Sequence, residues 1–429
     1  MNYHAYEFAH AALGPLRLGA KLMKTQLNMP FNPYGDSEVG KQIKAACEVF
    51  EGVTRRYGKP EWAIEEVAID NETYPVQEEI VLSKTFCELL HFKRDGYEAK
   101  ADQPKVLLVA PMSGHYATLL RGTVEAMLPE ADVYITDWID ARDVPVYLGN
   151  FDLDDFVDYL IEFMQFLGPD LHVIAVCQPT VPALVATSVM AKLEDPNQPL
   201  SLTLMGGPID CRRNPTQVNQ LAETKPIEWF ERSVLNYVPF PNPGFGRRVY
   251  PGFIQLSGFM TMNLDRHVTA HKDLFDHLVE GDEDSAQKHK DFYEEYLSVM
   301  DLTAEFYIQT VKVVFQDYAL AKGTMMHRDI PVDCGSIVKT ALMTVEGEKD
   351  DVCGLGQTEA AQDLCSNIPA NKKLHYVQPG VGHYGVFNGN RFRTEIKPRI
   401  LDFIQMAQNG TDSGKARKKA AKKKASDNS

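Results

Sequence analysis

The sequence lacks the cysteine patterns that hold together small secreted domains or structural zinc sites. Its seven cysteines are odd in number and widely spaced, and no two of them form a C-x-x-C pair. It also has no apolar run of the roughly 18 residues that a membrane-spanning helix needs, and residues 1–18 lack the charged-then-apolar pattern of a signal peptide. These absences predict a protein of the reducing cytoplasm, with neither disulfides nor a membrane span.

Motifs for metals and nucleotides are also weak. His267 and His271 form an H-x-x-x-H pattern, but Val268 stands where a metalloprotease helix carries its glutamate. Gly354 and Gly356 form a lone G-x-G, without the strand and helix pattern that would make it a nucleotide loop. The sequence therefore predicts no resident metal or cofactor.

The overall composition is that of a globular protein with one exceptional end. The chain has 429 residues, of which 44% are hydrophobic and 24% are charged, and its net charge is −15. Residues 410–429 carry seven basic residues against two acidic ones. Because alanine, lysine, serine and glycine leave this tail nothing to bury, residues 409–429 are predicted to be disordered. The tail either solubilises the protein or makes weak contact with nucleic acid or another anionic surface.

From residue 105 onward, short apolar runs alternate with segments of helical periodicity. This alternation predicts an α/β fold with a mostly parallel central sheet and helices on both of its faces. Ligands of such sheets bind at the carboxyl ends of the strands. The predicted strands are 106–110, 131–138, 171–176, 200–205, 337–345 and 373–378. The predicted helices are 116–128, 152–167, 180–193, 358–366 and 391–407.

The alternation stops over residues 211–334, which are rich in aromatic residues, methionine and proline and contain long helical patterns. An insertion of this kind is typical of a mainly helical lid over an active site. The α/β core is then made of residues 101–210 and 335–408. Residues 1–100 are predicted to be a segment of helices and strands that packs on this core.

Residues 1–28 form a candidate amphipathic helix within that N-terminal segment. Its apolar side would carry Tyr6, Phe8, Leu13 and Leu16, with Pro15 as a kink or break. We expect this side to pack against the body of the protein. The alternative is that it lies on an external apolar surface.

Cys177 lies at a sharp junction between a predicted strand and a predicted helix. Only three residues, 177–179, separate the β-branched run 171–176 from the helical pattern. A strand–turn–helix that carries one nucleophile is typical of the α/β-hydrolase elbow, G-x-S-x-G, whose outer positions need small or pre-bent residues. Here they are Ala175 and Pro179. The helix N-terminus would favour a thiolate, whereas the alternative is that Cys177 is a buried apolar residue.

An acid and a histidine follow Cys177 in the chain order of the α/β-hydrolases. Asp350 or Asp351 comes directly after a predicted strand, and His383 lies in a glycine-rich loop after the last strand. A nucleophile, an acid and a histidine at adjacent strand ends would form a catalytic triad. Each of the last two also has an ordinary alternative, since the aspartate could cap a helix and the histidine could be a satisfied loop residue.

Such a triad also needs two backbone N–H groups that stabilise an oxyanion. One is expected from Gln178, the residue after the nucleophile. The other is expected from the loop after the first core strand, at Met112 or Ser113.

Six stretches make the chain resemble the intracellular poly(3-hydroxyalkanoate) depolymerases, chiefly those that act on poly(3-hydroxybutyrate). The resemblance covers nearly the whole length apart from the lysine-rich tail. It implies the α/β-hydrolase fold and a triad of Cys177, Asp350 and His383. The preference for Asp350 over Asp351 rests on similarity to a D-x-I/V pattern in the related polymer synthases. The stretches are EFAHAALGPLR, PMSGHYATLLRGTVEAMLP, VIAVCQPT, YPGFIQLSGFMTMNLDRH, TVEGEKDD and GVGHYGVFNG.

The resemblance implies hydrolysis of a polyester through a cysteine acyl-enzyme, with water as acyl acceptor or coenzyme A in its place. It implies a cytoplasmic enzyme bound to polyester granules, and it leaves the oligomeric state open. One rival function is a polymer synthase, although synthases keep glycine where this chain has Pro179. The other rival is a granule-bound scaffold that keeps the fold without catalysis.

Overall fold

A computed structural model of the chain describes residues 2–98, 103–262 and 264–410. The predicted disordered tail lies outside the described residues from residue 411 onward.

The elements follow one another as strands and helices numbered in chain order. The strands are β1 (Glu66–Ile69), β2 (Glu72–Ser83), β3 (Cys87–Arg94), β4 (Lys105–Val109), β5 (Asp132–Trp138), β6 (Leu171–Val176), β7 (Ser201–Met205), β8 (Asn236–Tyr237), β9 (Arg248–Tyr250), β10 (Leu302–Thr303), β11 (Met326–His327), β12 (Ile330–Pro331), β13 (Ala341–Gly347) and β14 (Lys373–Gln378). The helices are α1 (Tyr3–Ala12), α2 (Gly14–Leu27), α3 (Glu38–Thr54), α4 (Arg121–Met127), α5 (Leu153–Leu167), α6 (Thr180–Lys192), α7 (Gln217–Thr224), α8 (Ile227–Ser233), α9 (Gly252–Met262), α10 (Leu264–Glu280), α11 (Glu283–Leu297), α12 (Ala304–Thr310), α13 (Ala360–Leu364) and α14 (Gly389–Arg391). After a π-helical turn over Phe392–Ile396, a last helix spans 397–410.

A nine-stranded sheet forms the centre of the molecule, in the order β1-β2-β3-β5-β4-β6-β7-β13-β14. The strands from β5 to β14 in this order pair in parallel, and β1, β2 and β3 add antiparallel pairs at one edge. The chain moves from β4 to β5 and then back across β4 to β6. Because such crossovers are right-handed, α4 and α5 cover opposite faces. This strand order is that of the α/β-hydrolase fold, and the predicted fold class is confirmed.

The burial of the central strands explains why their sequences were recognisable. Every residue of β6, β7 and β13 is buried. Parallel strands covered on both faces need continuous apolar runs of this kind. The N-terminal hairpin differs, because β2 is largely exposed and rich in polar residues. The predicted N-terminal segment of helices and strands thus contributes the antiparallel pair of β2 and β3, and the short strand β1 was not predicted.

The segment between β7 and β13 holds α7 to α12 and the short strands β8 to β12. It occupies the place that the sequence predicts for an inserted lid. Within residues 2–98, 103–262 and 264–410, no helix combines the length and the hydrophobicity that crossing a lipid bilayer requires.

The N-terminal prediction is partly wrong. The chain breaks at Leu13 into α1 and α2, with Pro15 in the first turn of α2, where a missing N–H costs little. However, Phe8 and Leu16, predicted on a packed apolar side, are 77% and 60% exposed. Tyr6 does pack, since its ring stacks on Phe253 at the start of α9.

A buried polar network fixes the N-terminus to the inserted segment. The Tyr3 hydroxyl donates to Asp301 Oδ2 at 2.8 Å, and the N–H of Gly252 donates to Asp301 Oδ1 at 2.9 Å. The N–H of Asp301 donates to Asp140 Oδ1, and Arg142 pairs with the same aspartate at 2.9 Å. Since both carboxylates are buried, each donor that they lose leaves an unsatisfied charge.

We expect Tyr3→Phe to lower the free energy of unfolding by about 1–3 kcal/mol, because it removes a donor from the buried Asp301. Urea unfolding of the full chain measures the change. Tyr34→Phe is the matched control, since Tyr34 is exposed and its variant should unfold like the wild type. Equal unfolding midpoints for Tyr3→Phe and the control would show that this network does not stabilise the fold.

Candidate active site

Cys177 occupies the turn between β6 and α6 in a strained backbone conformation. Its φ of 64° lies in the left-handed region, which costs a non-glycine residue about 1–3 kcal/mol. Two hydrogen bonds hold the turn: the Cys177 N–H donates to the carbonyl of Met205 at 2.7 Å, and the Cys177 carbonyl accepts from Thr180 at 3.1 Å. The side chain is partly exposed although β6 is fully buried. This is the geometry of a nucleophile elbow.

The residues around the elbow suit this turn. Ala175 is fully buried and offers no bulk beyond a methyl group. Pro179 precedes the first residue of α6 and has a φ of −59°, which its ring favours. Pro182 is the third residue of α6, where a backbone N–H has no partner within the helix. Neither proline therefore removes a helical hydrogen bond.

The predicted acid and histidine lie side by side. His383 Nδ1 is 2.8 Å from Asp350 Oδ2, and both side chains are buried. The other oxygen, Asp350 Oδ1, accepts the N–H groups of Val352 at 2.9 Å and Cys353 at 2.8 Å. Asp351 is exposed instead. Asp350, and not Asp351, therefore pairs with His383. The backbone N–H groups of the residues that follow hold the Asp350 carboxylate in place.

The electrostatics of His383 depend on its two charged neighbours. Burial alone lowers the pKa of this imidazole, whereas the Cys177 thiolate and the Asp350 carboxylate raise it by charge and by hydrogen bonds. The effects of Cys177 and Asp350 together exceed the effect of burial, so the pKa of His383 lies well above its usual range. Because Nδ1 contacts Asp350, Nε2 is the atom left for Cys177. A protonated His383 would form an ion pair with a thiolate at Cys177.

Gly206 is a site residue that the sequence reasoning missed. It follows β7 with a φ of 55°, and its N–H donates to the carbonyl of Val345 at 2.9 Å. A Cβ at this position would lie 3.4 Å from Asp350 Oδ2 and 3.5 Å from His383 Cε1. The backbone of Gly206 is thus in contact with the acid–histidine pair. The available signal was the Gly206-Gly207 pair directly after a predicted strand.

The predicted oxyanion donors lie at the ends of β4 and β6. Met112 and Gln178 are buried, and Ser113 is half-buried. The backbone N–H groups of these three residues donate to no other group in the described ranges. Since unpaired buried N–H groups are rare, free donors beside a nucleophile are suited to a developing negative charge.

The loop after β4 is tied to the inserted segment. The N–H of Met300 donates to the carbonyl of Gly114 at 2.7 Å, and His115 Nε2 lies 3.0 Å from the carbonyl of Tyr296. Gly114 has a φ of 110°, and a Cβ there would clash with the side chain of Gln255. Movement of the inserted segment would therefore displace the loop that carries Met112.

Aromatic rings surround His383. The ring centroids of Tyr384 and Phe387 lie 5.9 Å and 5.8 Å from that of His383, and Tyr296 of α11 lies 6.1 Å from Tyr384. Burial raises the pKa of Tyr384, so its hydroxyl stays protonated. These rings limit access of water to the imidazole.

The weaker sequence motifs make packing contacts. His267 and His271 pack on Tyr293 between α10 and α11. No cluster of histidine, cysteine, aspartate or glutamate in the described part of the chain could hold a metal ion. Gly354 packs directly against the backbone carbonyl of Asn214, so it serves close packing rather than phosphate binding.

We expect Asp350→Asn to slow alkylation of Cys177 by iodoacetamide about tenfold near neutral pH. Loss of the carboxylate removes one cause of the raised pKa of His383, so the imidazolium loses its proton at lower pH and the thiolate loses its cation. Peptide mass spectrometry across a pH series measures the rate at Cys177. Asp351→Asn is the neighbouring control and should alkylate like the wild type. Superimposable profiles for Asp350→Asn and wild type would contradict the ion pair.

Comparisons with solved structures find distant relatives with ester-cleaving or related hydrolytic names. A thermophilic esterase from Thermogutta terrifontis is 14% identical, with 76% of this chain and 99% of that chain covered and a TM-score of 0.39. A monoacylglycerol lipase from Paleococcus ferrophilus is 13% identical, over 71% and 94% of the two chains, with a TM-score of 0.39. The 2-hydroxy-6-oxo-6-phenylhexa-2,4-dienoate hydrolase of Rhodococcus sp. strain RHA1 is 11% identical, over 77% and 99%, with a TM-score of 0.39. These likenesses are too distant to support a function, and the fold rests on the strand order described above.

No curated protein matches the chain. A family model does: the one described as PHB de-polymerase C-terminus matches residues 206–408. The matched region begins at Gly206 and includes the inserted segment, Asp350 and His383. Residues 206–408 therefore match a PHB depolymerase C-terminal domain, and the resemblance to PHB depolymerases predicted from the sequence is confirmed over this region.

Proposed function

We propose that the protein hydrolyses poly(3-hydroxybutyrate)-type polyester inside the cell through an acyl-enzyme on Cys177. One observation carries the proposal: in a chain with a PHB depolymerase domain, a strained cysteine elbow lies against a buried His383–Asp350 pair. Ester hydrolysis in general follows from the family and the fold. The cysteine chemistry, the cytoplasmic compartment and the granule as partner are the proposed part.

The reaction begins with attack of the Cys177 thiolate on an ester carbonyl carbon. A C–S bond forms and the carbonyl π electrons move to oxygen. The N–H groups of Gln178 and of Met112 or Ser113 stabilise this oxyanion. The oxyanion then collapses, the C–O bond of the ester breaks, and His383 gives its proton to the leaving alkoxide. The product is a shortened polymer and a thioester on Cys177.

His383 acts as a base in the release of the acyl group, whereas it acted as an acid in the first step. His383, now neutral, takes a proton from water as the oxygen attacks the thioester carbonyl. The C–S bond breaks, and the 3-hydroxy acid leaves with the thiolate restored. The thiol of coenzyme A is the alternative acceptor and would give a 3-hydroxyacyl thioester instead. Asp350 keeps the imidazole in one orientation throughout.

The inserted segment is proposed to act as the lid over this site. Its helix α9 is apolar along most of its length, and Phe259 contacts the ring of His115 at 5.6 Å between centroids. A polyester repeat offers methyl groups and ester carbonyls but no N–H donors. Apolar and aromatic side chains near the elbow are therefore suited to such a chain.

We expect Cys177→Ala to reduce release of 3-hydroxy acid from amorphous polyester particles by at least about a thousandfold, because the nucleophile is removed. Acid release by enzymatic or chromatographic assay is the measurement. Cys47→Ala in α3 is the control and should keep wild-type activity. If Cys177→Ala hydrolyses polyester normally, the assigned nucleophile is wrong.

Polymer growth from 3-hydroxybutyryl-CoA without acid release would favour the synthase, and no ester turnover by wild type would favour the scaffold.

We expect Gln255→Ala to lower kcat about tenfold with little change in KM, because it loosens the loop that carries an oxyanion donor. The Gln255 Nε2 group donates to the carbonyls of Tyr250 at 3.0 Å and Met300 at 3.3 Å, beside Gly114. Steady-state kinetics on a soluble 3-hydroxybutyrate oligomer separates the two constants. Ser257→Ala, an exposed position on the same helix, should behave as wild type. An effect on KM alone would indicate a role in binding rather than in positioning.

A further inference from the structure

Helix α2 turns two of its three basic side chains toward the protein and exposes several apolar ones, unlike an ordinary surface helix. Its bases Arg17 and Lys24 face the protein: Arg17 donates to the carbonyls of Thr54 at 2.8 Å and His10 at 2.9 Å, and Lys24 pairs with Glu48 at 2.6 Å. No residue of α2 is buried. Charges and hydrogen bonds therefore help to hold the helix to its neighbours, together with the half-buried Ala20 and Leu27.

Several apolar side chains of α2 and its continuation are exposed, beside the exposed polar residues Lys21, Thr25 and Gln26. Leu18 and Leu22 are each 59% exposed, one turn apart, and Met29, two residues beyond the end of α2, is 56% exposed. Phe31 is fully exposed in the following turn. We call the whole set the N-terminal apolar face; it consists of Phe8, Leu16, Leu18, Leu22, Met23, Met29 and Phe31. Seven exposed apolar side chains within residues 8–31 indicate a candidate interaction surface.

The charges of this face indicate which kind of partner surface it can bind. Residues 8–35 contain no aspartate or glutamate, although the chain has 59 acidic residues among its 429 and a net charge of −15. Among the bases of α2, only Lys21 is exposed, since Arg17 and Lys24 are turned inward. The partner surface should therefore be apolar and should carry no positive charge.

The face is connected to the active site through α9. Tyr6 of α1 stacks on Phe253 at a centroid distance of 4.1 Å and an interplanar angle of 5°. Phe253 begins α9, and Phe259 of the same helix contacts His115 in the loop after β4. Helix α9 thus connects α1, which carries part of the N-terminal apolar face, with the loop that carries predicted oxyanion donors.

We propose that the N-terminal apolar face docks the protein on the surface of its water-insoluble polyester. This inference rests on the proposed function. Such a surface presents methyl and methylene groups, carbonyl oxygens and occasional carboxylate ends, and it has no cations. A second copy of the chain fits less well, because Lys21 would meet a face without a single acid. An anionic lipid surface fits this face less well too, since such binding takes clusters of about 4–8 basic residues and Lys21 is the one exposed base of α2.

The test uses full-length Leu18→Gln/Leu22→Gln/Met29→Gln beside wild type. The matched control is Leu193→Gln/Val338→Gln/Leu374→Gln, three exposed apolar positions of the α/β core. Co-sedimentation with amorphous polyester particles measures docking, and turnover of a soluble 3-hydroxybutyrate oligomer measures the active site. We expect the face variant to bind particles at least tenfold more weakly and to keep wild-type turnover of the oligomer. The control should match wild type in both assays.

Three results would overturn the docking inference: particle binding by the face variant equal to wild type, loss of a dimer in sedimentation velocity with particle binding unchanged, or equal binding of wild type to anionic phospholipid vesicles and to polyester. Failure of the proposed function has a different signature. In that case particle binding would depend on the face while neither substrate is cleaved in a Cys177-dependent way.

Discussion

The parallel register of the central strands is the constraint on which the site depends. Val176 pairs with Met205, Met205 with Val345, and Gly347 with Gln378. The carboxyl ends of four strands therefore lie at one edge of the sheet, and the residues that follow them are forced together. The hydrogen bond from the Cys177 N–H to the carbonyl of Met205 extends this register by one residue into the elbow. These strand pairings bring side chains that are far apart in the sequence close together at this edge.

A buried charge is stable only when its partners are fixed, and the site provides them from the backbone. Asp350 would be costly in isolation, but two N–H groups and His383 satisfy it. Gly206, beside this pair, contributes a left-handed backbone conformation that would strain a residue with a side chain. The backbone N–H groups of Met112, Ser113 and Gln178 are in the opposite condition, since they have no acceptor among the described residues.

The sequence predicted those parts of the molecule in which one physical requirement dominates. Strands β6 and β14 were located within a residue, because β6 is a continuous apolar run and β14 is bounded by turn residues. Asp350 and Asp351 were indistinguishable by chemistry, and only the tertiary contact with His383 separates them. Phe8 and Leu16 were predicted to pack because apolar side chains usually do. Helix α2 breaks that rule by turning Arg17 and Lys24 inward, which no local pattern reveals.

The cysteine acyl-enzyme is the central claim, and mass spectrometry of the modified peptide tests it most directly. Wild-type protein is mixed with a 3-hydroxybutyrate oligomer, quenched in acid within the steady state, digested, and analysed for acylated peptides. We expect a 3-hydroxybutyryl group on the peptide that contains Cys177, attached as a thioester that hydroxylamine removes. Acyl groups found on a serine instead, or rapid turnover with Cys177 never modified even in a variant that slows thioester hydrolysis, would contradict it.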